Sequence, residues 1–312
     1  MDALELPPPA RGPKPAIRGT LGWLAALYFG SDEFGALDLK SQSTRRHIIE
    51  GSLQETVKDG STDLMRDCPL SFVTAKKIKR LRDLKAGKPD AANNRKKYLS
   101  AMFGWAIDQD KILDRNPARD VRRVKYPSDG FHTWTIEEVR QYQAHRPIGC
   151  KARLTLSLLL FVGARRGDMA ELGRQHLRDG WIRFVPKKTR HRRSAAVEVP
   201  MIPELERVIA ATPCGALTFL ENDLGRGFTA TGFGNKFREW CDEASLPQCS
   251  AHGLRKAGAT IAAEHGATEH QLMAMYGWET PTMAAKYTRA ANRKGLAGET
   301  MRLLATRSDQ ER

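Results

Sequence analysis

Long apolar runs are missing from this 312-residue chain. The longest, Leu154 to Val162, is interrupted and far shorter than the ~20 residues a spanning helix needs. A basic amphipathic anchor is missing too, so a membrane partner is not expected. Cysteine is scarce. Cys68, Cys150, Cys214, Cys241 and Cys249 make an odd set with no CxxC pair, which argues against a disulfide framework and for a reducing compartment. Metal ligands do not cluster. The nearest set, Cys249, His252, His265 and His270, has one cysteine and a spacing that suits zinc poorly, so no metal and no cofactor is expected. The N-terminus MDALELPPPARGPKPAIRGT lacks the charged-then-apolar order of a secretory signal. Its prolines suggest a flexible, extended tail over residues 1–18, and a cytoplasmic location is expected. No long internal repeat occurs.

Acidic residues are also short: 36 Asp and Glu face 51 Lys and Arg, a net charge of +15. A surplus of that size favours a polyanion, above all nucleic acid, because neutralised phosphates release condensed counterions. The surplus is concentrated. Residues 71–126 hold 16 Lys and Arg against 6 Asp and Glu, a net +10. Such a run is often only a solvated face, but over one compact stretch it points to phosphate contact.

What is present reads as helices. Gly19 to about Gly30 carries Leu21, Leu24, Leu27 and Tyr28. Ser41 to Lys58 suggests a second helix, and Thr74 is placed to cap a third over AKKIKRLRDLK. The clearest runs from Ala91 to Asp108, with Tyr98, Leu99, Met102, Phe103, Ala106 and Ile107 at helical spacing. Tyr126-Pro-Ser-Asp-Gly130 reads as a linker, placed at residues 126–133. Thr135 and Glu138 then form a capping box, and Lys151 to Val162 reads as a buried helix. The period changes at Trp181–Val185 and Ala196–Val199, two strand-like runs whose turn must be PKKTRHRRS. Helices return from Pro203. The expected class is mainly α with a small antiparallel β-sheet or hairpin.

Four islands carry chemistry. In FVGARRGDMAEL, Gly163 breaks a helix and Arg165 opens the next. Its RGD is a chance tripeptide. In KKTRHRR, Lys188 precedes Thr189 in a turn. In AHGLRKAGAT, His252 and Arg255 are three apart, on one helix face. In YGWETPTMAAKYTRAA, Trp278 and Tyr287 are nine apart. Taken singly, they read as a surface loop, a solvated basic turn, a polar helix start and an ordinary tyrosine.

Together and in this order, the islands resemble the tyrosine recombinase, or phage integrase, family. GARRGDMAEL is similar to its first arginine box, KKT to its hairpin lysine, HGLR to its His-x-x-Arg, and GW followed by Tyr to its His/Trp-to-tyrosine spacing. The resemblance covers about residues 133–290 and, more loosely, the helical first part. It implies a helical core-type DNA-binding domain over 19–125 and an α+β catalytic domain over 134–312 that ends in a helix. Carried over, Arg165 and Arg255 would clamp the scissile phosphate, with Asp168 supporting the first. Lys188 would be the general acid to the leaving 5′ oxygen, His252 would assist proton transfer, Trp278 would donate its indole N–H, and Tyr287 would be the nucleophile. Trp278 stands where His is commoner, so that group can only donate. Lys256 follows Arg255 where His is common. Lys76, Lys77, Arg95, Lys96, Lys97, Arg122, Arg123 and Lys125 are the expected DNA contacts.

The chemistry suits those residue types. Two guanidiniums give planar, permanently charged contacts to nonbridging oxygens. A phenol of ordinary pKa about 10 is neutral until cations beside it ease its ionisation. A phosphotyrosine conserves the phosphodiester's energy, so neither metal nor ATP is required. The resemblance implies a site-specific recombinase on double-stranded DNA, integrating or excising a mobile element. It would work as a tetramer on two sites, with possible accessory bending or excision factors and nucleoid association when bound. With about 18 residues before the first helix, a separate arm-type DNA-binding domain is not expected. Two rivals remain: a type IB topoisomerase, and a non-catalytic DNA-binding regulator, which would need no nucleophile.

Overall fold

A computed structural model describes residues 16–109, 112–127, 130–188 and 196–310. They form two compact units, Met1–Ser128 and Asp129–Arg312. Most of the expected proline-rich tail lies outside the described residues. So do residues 189–195, Thr189 among them.

The first unit is helical: α1 (Leu21–Phe29), α2 (Asp32–Gly35), α3 (Leu39–Leu53), α4 (Ala75–Asp83) and α5 (Pro89–Asp108). Thr20 starts α1, its hydroxyl accepting from the Trp23 amide at 3.3 Å. Leu21, Leu24 and Tyr28 enter the core, whereas Leu27 is 38% exposed. At about 100° per residue Leu27 lies some 120° round from Leu21, off the buried stripe. The second helix stops at Leu53 rather than Lys58. The chain folds back instead, the Val57 amide donating to Asp63 O and the Met65 amide to Glu55 O, each at 2.8 Å. Thr74 precedes α4, but its side chain makes no capping bond. Along α5, Leu99, Met102, Phe103 and Ala106 are fully buried, while Tyr98 and Ile107 are only partly covered.

One expected DNA contact is corrected here. Arg95 is 5% exposed, donates to Leu81 O at 2.9 Å and pairs with Glu55 at 2.9 Å. Four residues before Leu99, it sits on the core face of α5, and its charge ties helices together. Arg80 and Arg82 are likewise engaged, with Asp59 and Asp83. Part of the basic surplus is therefore internal. Lys76, Lys97, Arg122, Arg123 and Lys125 are exposed, and Lys77 and Lys96 half-buried.

The second unit begins with α6 (Ile136–His145), opened by the full capping box: the Glu138 amide donates to Thr135 Oγ1 at 3.1 Å, and the Thr135 amide to Glu138 Oε2 at 2.8 Å. The buried helix divides in two, α7 (Lys151–Ser157) and a wider π-helical turn, Leu158–Val162. Gly163 ends it in the left-handed region at φ 61°, which suits a residue without Cβ. Then come α8 (Arg166–Met169), β1 (Leu177–Arg178), β2 (Trp181–Phe184), β3 (Val197–Pro200), α9 (Pro203–Ala211), α10 (Ala230–Glu243), α11 (Ala251–Glu264), α12 (Glu269–Tyr276) and α13 (Pro281–Gln310).

The strands form one antiparallel sheet in the order β1-β2-β3, with Ile182 opposite Val199 and Phe184 opposite Val197. Those four side chains alternate inward. The two-residue β1 was too short to show a period in the sequence. Trp134, Tyr142 and Phe237 pack ring to ring in the core, with centroids 5.5–6.1 Å apart. The helix expected at the end of the second unit is continuous with the one that carries Tyr287. No helix among the described residues is long and apolar enough to cross a membrane.

Candidate active site

Gly163 turns the chain so that Arg165 stands just before α8. Asp168, one turn on and nearly buried, accepts from the Arg165 amide at 3.3 Å and, with its other oxygen, from the Lys187 amide at 2.8 Å. The carboxylate thus supports the first arginine through its backbone, and the same group anchors the start of the β2–β3 connection, next to Lys188. Arg165 Nη1 is buried and has no hydrogen-bond partner among the described residues. A buried, unpaired guanidinium N–H is costly, so this atom suits an incoming anion.

Ser250 caps α11, its hydroxyl accepting from the Gly253 amide at 3.1 Å. That helix sets His252 and Arg255 one turn apart. Arg255 is 7% exposed and donates from Nη2 to Tyr276 O at 2.9 Å. Burial, and after it the charge of Arg165, brings its pKa down to about 10, so it stays cationic at neutral pH. His252 lies against the Phe131 ring, centroids 4.8 Å apart. Desolvation first, then Arg255, Lys256, Arg165 and Lys188, push its pKa below the usual histidine value. It is therefore a neutral imidazole at pH 7, able to accept a proton. Lys256 turns away and donates to Phe131 O at 2.7 Å.

These groups converge. Arg165, Arg166, Lys188, Arg238, His252 and Arg255 line one cavity of about 420 Å³, with no carboxylate in its lining among the described residues. Trp278 and Tyr287 do not line it. They reach Arg255 by a different route. Gly277 closes α12 in the left-handed region at φ 60°, and Trp278 follows, its ring 5.9 Å from the Arg255 guanidinium carbon. Tyr287, on α13, stacks on Trp278 with centroids 5.5 Å apart and planes 10° from parallel.

In the DNA-free chain the expected pull of a cation on the Tyr287 phenol is present but is the smaller effect. Burial raises the Tyr287 pKa and outweighs the opposing pull of Arg255, so the phenol is held neutral. Thr288, beside it, is buried and donates to Glu269 at 3.1 Å.

Sequence reasoning missed Arg166, Arg238 and Phe131. Arg166 adjoins Arg165 and was open to notice. Arg238 lies mid-helix and Phe131 in the linker, and neither carries a local signal. Among the described residues, His132, Glu138 and Cys249 offer metal-type ligand atoms within 4.8 Å of one another. Glu138 already accepts from the Thr135 amide, His132 at 2.7 Å and Gln248 at 2.7 Å, so hydrogen bonding accounts for this grouping.

The chain is similar to known proteins in sequence and in fold. The chain is 28% identical to the integrase of Mycobacterium phage L5 over 248 residues, which is 70% of this chain and 64% of the phage protein. It thus spans less than two thirds of that relative's length. The fold is similar to a lambda integrase tetramer bound to a Holliday junction, with a TM-score of 0.69, 20% identity, and 86% of this chain and 77% of that one covered. It is also similar to the Tn1549 transposon integrase in complex with a circular intermediate DNA, with a TM-score of 0.72, 17% identity, and 89% and 99% covered. The model of the phage integrase family matches residues 134–294, just over half of the chain and all of the candidate site except Phe131, and by that match, with the curated integrase relatives beside it, this chain belongs to the phage integrase family, the tyrosine recombinases.

Proposed function

We propose that this protein is a site-specific DNA recombinase that cuts and rejoins strands through a 3′-phosphotyrosine. One observation carries the reading: a buried, unpartnered guanidinium N–H on Arg165, in a cavity shared with Lys188, His252 and Arg255 and lined by no carboxylate. Such a cavity suits a phosphodiester. In this reading Tyr287 Oη attacks the phosphorus and the 5′ oxygen leaves, taking a proton from Lys188. The phenol's own proton passes to a neutral acceptor, for which His252 is suited. Arg165 and Arg255 neutralise the nonbridging oxygens, and Trp278 donates its indole N–H. A free 5′ hydroxyl then attacks the phosphotyrosine and restores both the bond and the tyrosine. The test is a suicide substrate nicked beside the cut, which should leave a covalent protein–DNA band on a denaturing gel. Relaxation of supercoiled DNA lacking any target site would favour a type IB topoisomerase. A folded, DNA-binding protein that gives no band would favour a regulator.

The partner in this reading is double-stranded DNA, with the first unit supplying phosphate contacts. Reversing the charge of Lys96, Lys97, Arg122 and Arg123 should weaken binding to all sequences alike. It should also flatten the slope of log K against log salt by up to about 3–4. Arg95→Ala should leave that slope unchanged and lower only stability. Fluorescence anisotropy across a salt series reads both, and an unchanged slope in the quadruple variant would remove this face from the interface.

Assembly on two sites as a tetramer belongs to the same proposal. Beyond Ala291, α13 exposes Leu296, Met301 and Leu304, apolar side chains suited to packing on a neighbouring copy. Truncation after Ala291 should keep single-site binding and abolish pairing of two sites in a native gel. Normal recombination by the truncated chain would sink this role for the segment.

A further inference from the structure

Tyr276 has no part in the chemistry above, yet several independent contacts meet on it. Its side chain is fully buried, and its hydroxyl is buried with no hydrogen-bond partner among the described residues. That hydroxyl cannot reach a substrate. The ring is a different matter. Arg255 lies over one face, its guanidinium carbon 4.8 Å from the centroid. Trp278 stacks on the ring with centroids 4.9 Å apart and planes at 20°. Tyr287 then stacks on Trp278. The backbone carbonyl of Tyr276 also accepts from Arg255 Nη2.

The surrounding backbone leaves room for this ring. A Cβ at Gly163 would lie 2.4 Å from Tyr276 Cε1, and one at Gly258 would lie 2.7 Å from the hydroxyl. Gly163 is also the turn that presents Arg165. One aromatic plane therefore touches the guanidinium clamp, the indole donor and the turn before the first arginine, and through the indole it reaches the tyrosine.

We infer that Tyr276 is a positioning residue for strand cleavage: its ring, not its hydroxyl, is the floor on which Arg255 and the Trp278–Tyr287 stack are set. A smaller or non-planar side chain would let both tilt. Displacement of about 1 Å at reacting groups costs about 100-fold in rate. The unpaired hydroxyl destabilises the fold, so removing it should do no harm. The inference rests on the recombinase reading, and the controls separate the two.

The experiment measures single-turnover cleavage of the nicked suicide substrate, DNA affinity and Tm for Tyr276→Phe, Tyr276→Leu and Tyr276→Met, with Tyr287→Phe alongside. Tyr276→Phe should cleave within about twofold of the parent, with an equal or higher Tm. Tyr276→Leu and Tyr276→Met should cleave about 100-fold more slowly, with affinity changed by about twofold or less. That split between rate and affinity, restored by Phe, is not what a general packing defect gives. Parent-like cleavage by a folded Leu or Met variant, with Tyr287→Phe inactive, overturns the inference and leaves the recombinase reading intact. Slow cleavage by a folded Tyr276→Phe overturns it too, since the hydroxyl would then matter. Should neither non-aromatic variant fold, the Phe variant decides by the same criterion. Cleavage by Tyr287→Phe overturns the recombinase assignment itself.

Discussion

Tyr287→Phe is expected to bind DNA like the parent protein and to form no covalent adduct with a suicide substrate. The change deletes one oxygen and leaves the ring stacked on Trp278, 5.5 Å away, so fold and packing should be nearly untouched. Among the described residues, the adjacent hydroxyl, that of Thr288, is not placed to substitute. Thr288 is about 100° round the helix and is engaged with Glu269. A phenol of ordinary pKa about 10 is neutral at pH 7, and burial, outweighing the pull of Arg255, raises that of Tyr287 further, so attack requires loss of its proton as the new bond forms. A neutral His252 is competent to take it, and desolvation first, then the surrounding cations, keep that imidazole neutral. The measurement is a denaturing gel of labelled suicide substrate beside a binding isotherm. A persisting covalent band in Tyr287→Phe would show that another residue attacks.

Arg165→Ala and Arg255→Ala should each slow cleavage by about 10²–10³, by analogy with removing one oxyanion donor, while affinity changes far less. Their stabilities should separate them. Arg165 carries a buried N–H with no partner, so Arg165→Ala should keep or raise Tm. Arg255 is bonded to Tyr276 O and lies over the Tyr276 ring, so Arg255→Ala should lower Tm. Arg255→Lys should recover little of the rate, because an ammonium cannot copy a planar two-pronged contact. Single-turnover rates and thermal melts on the same preparations test this. A fast Arg165→Ala would show that its free N–H meets no transition-state charge.

Much of this was open to reading in the sequence. The spacing of His252 to Arg255 and of Trp278 to Tyr287 is local, and a helix or a short helix-to-helix turn converts such spacing into geometry. Capping at Thr135 and Glu138, the break at Gly163 and the alternation of β2 and β3 are also local rules, and the fold obeys them. The net charge pointed to a polyanion with no knowledge of shape.

Other features depend on contacts distant in sequence. Arg95 reads as one more cation in a basic run, yet the fold presses it onto Leu81 O and Glu55, because its helix position falls on the buried stripe. Asp168 reads only as an acidic residue supporting Arg165. Its actual task, joining the Arg165 and Lys187 amides, depends on the strand connection returning beside α8. Nothing local singles out Tyr276, two residues before Trp278. Only packing of α12 against α11 places its ring under Arg255. The sequence by itself determined which groups could do chemistry, since residue type and local spacing fix charge, hydrogen-bonding capacity and helix face. The tertiary structure decided which of those groups are desolvated, which are already paired and which are left over, because burial and pairing are set by neighbours far along the chain.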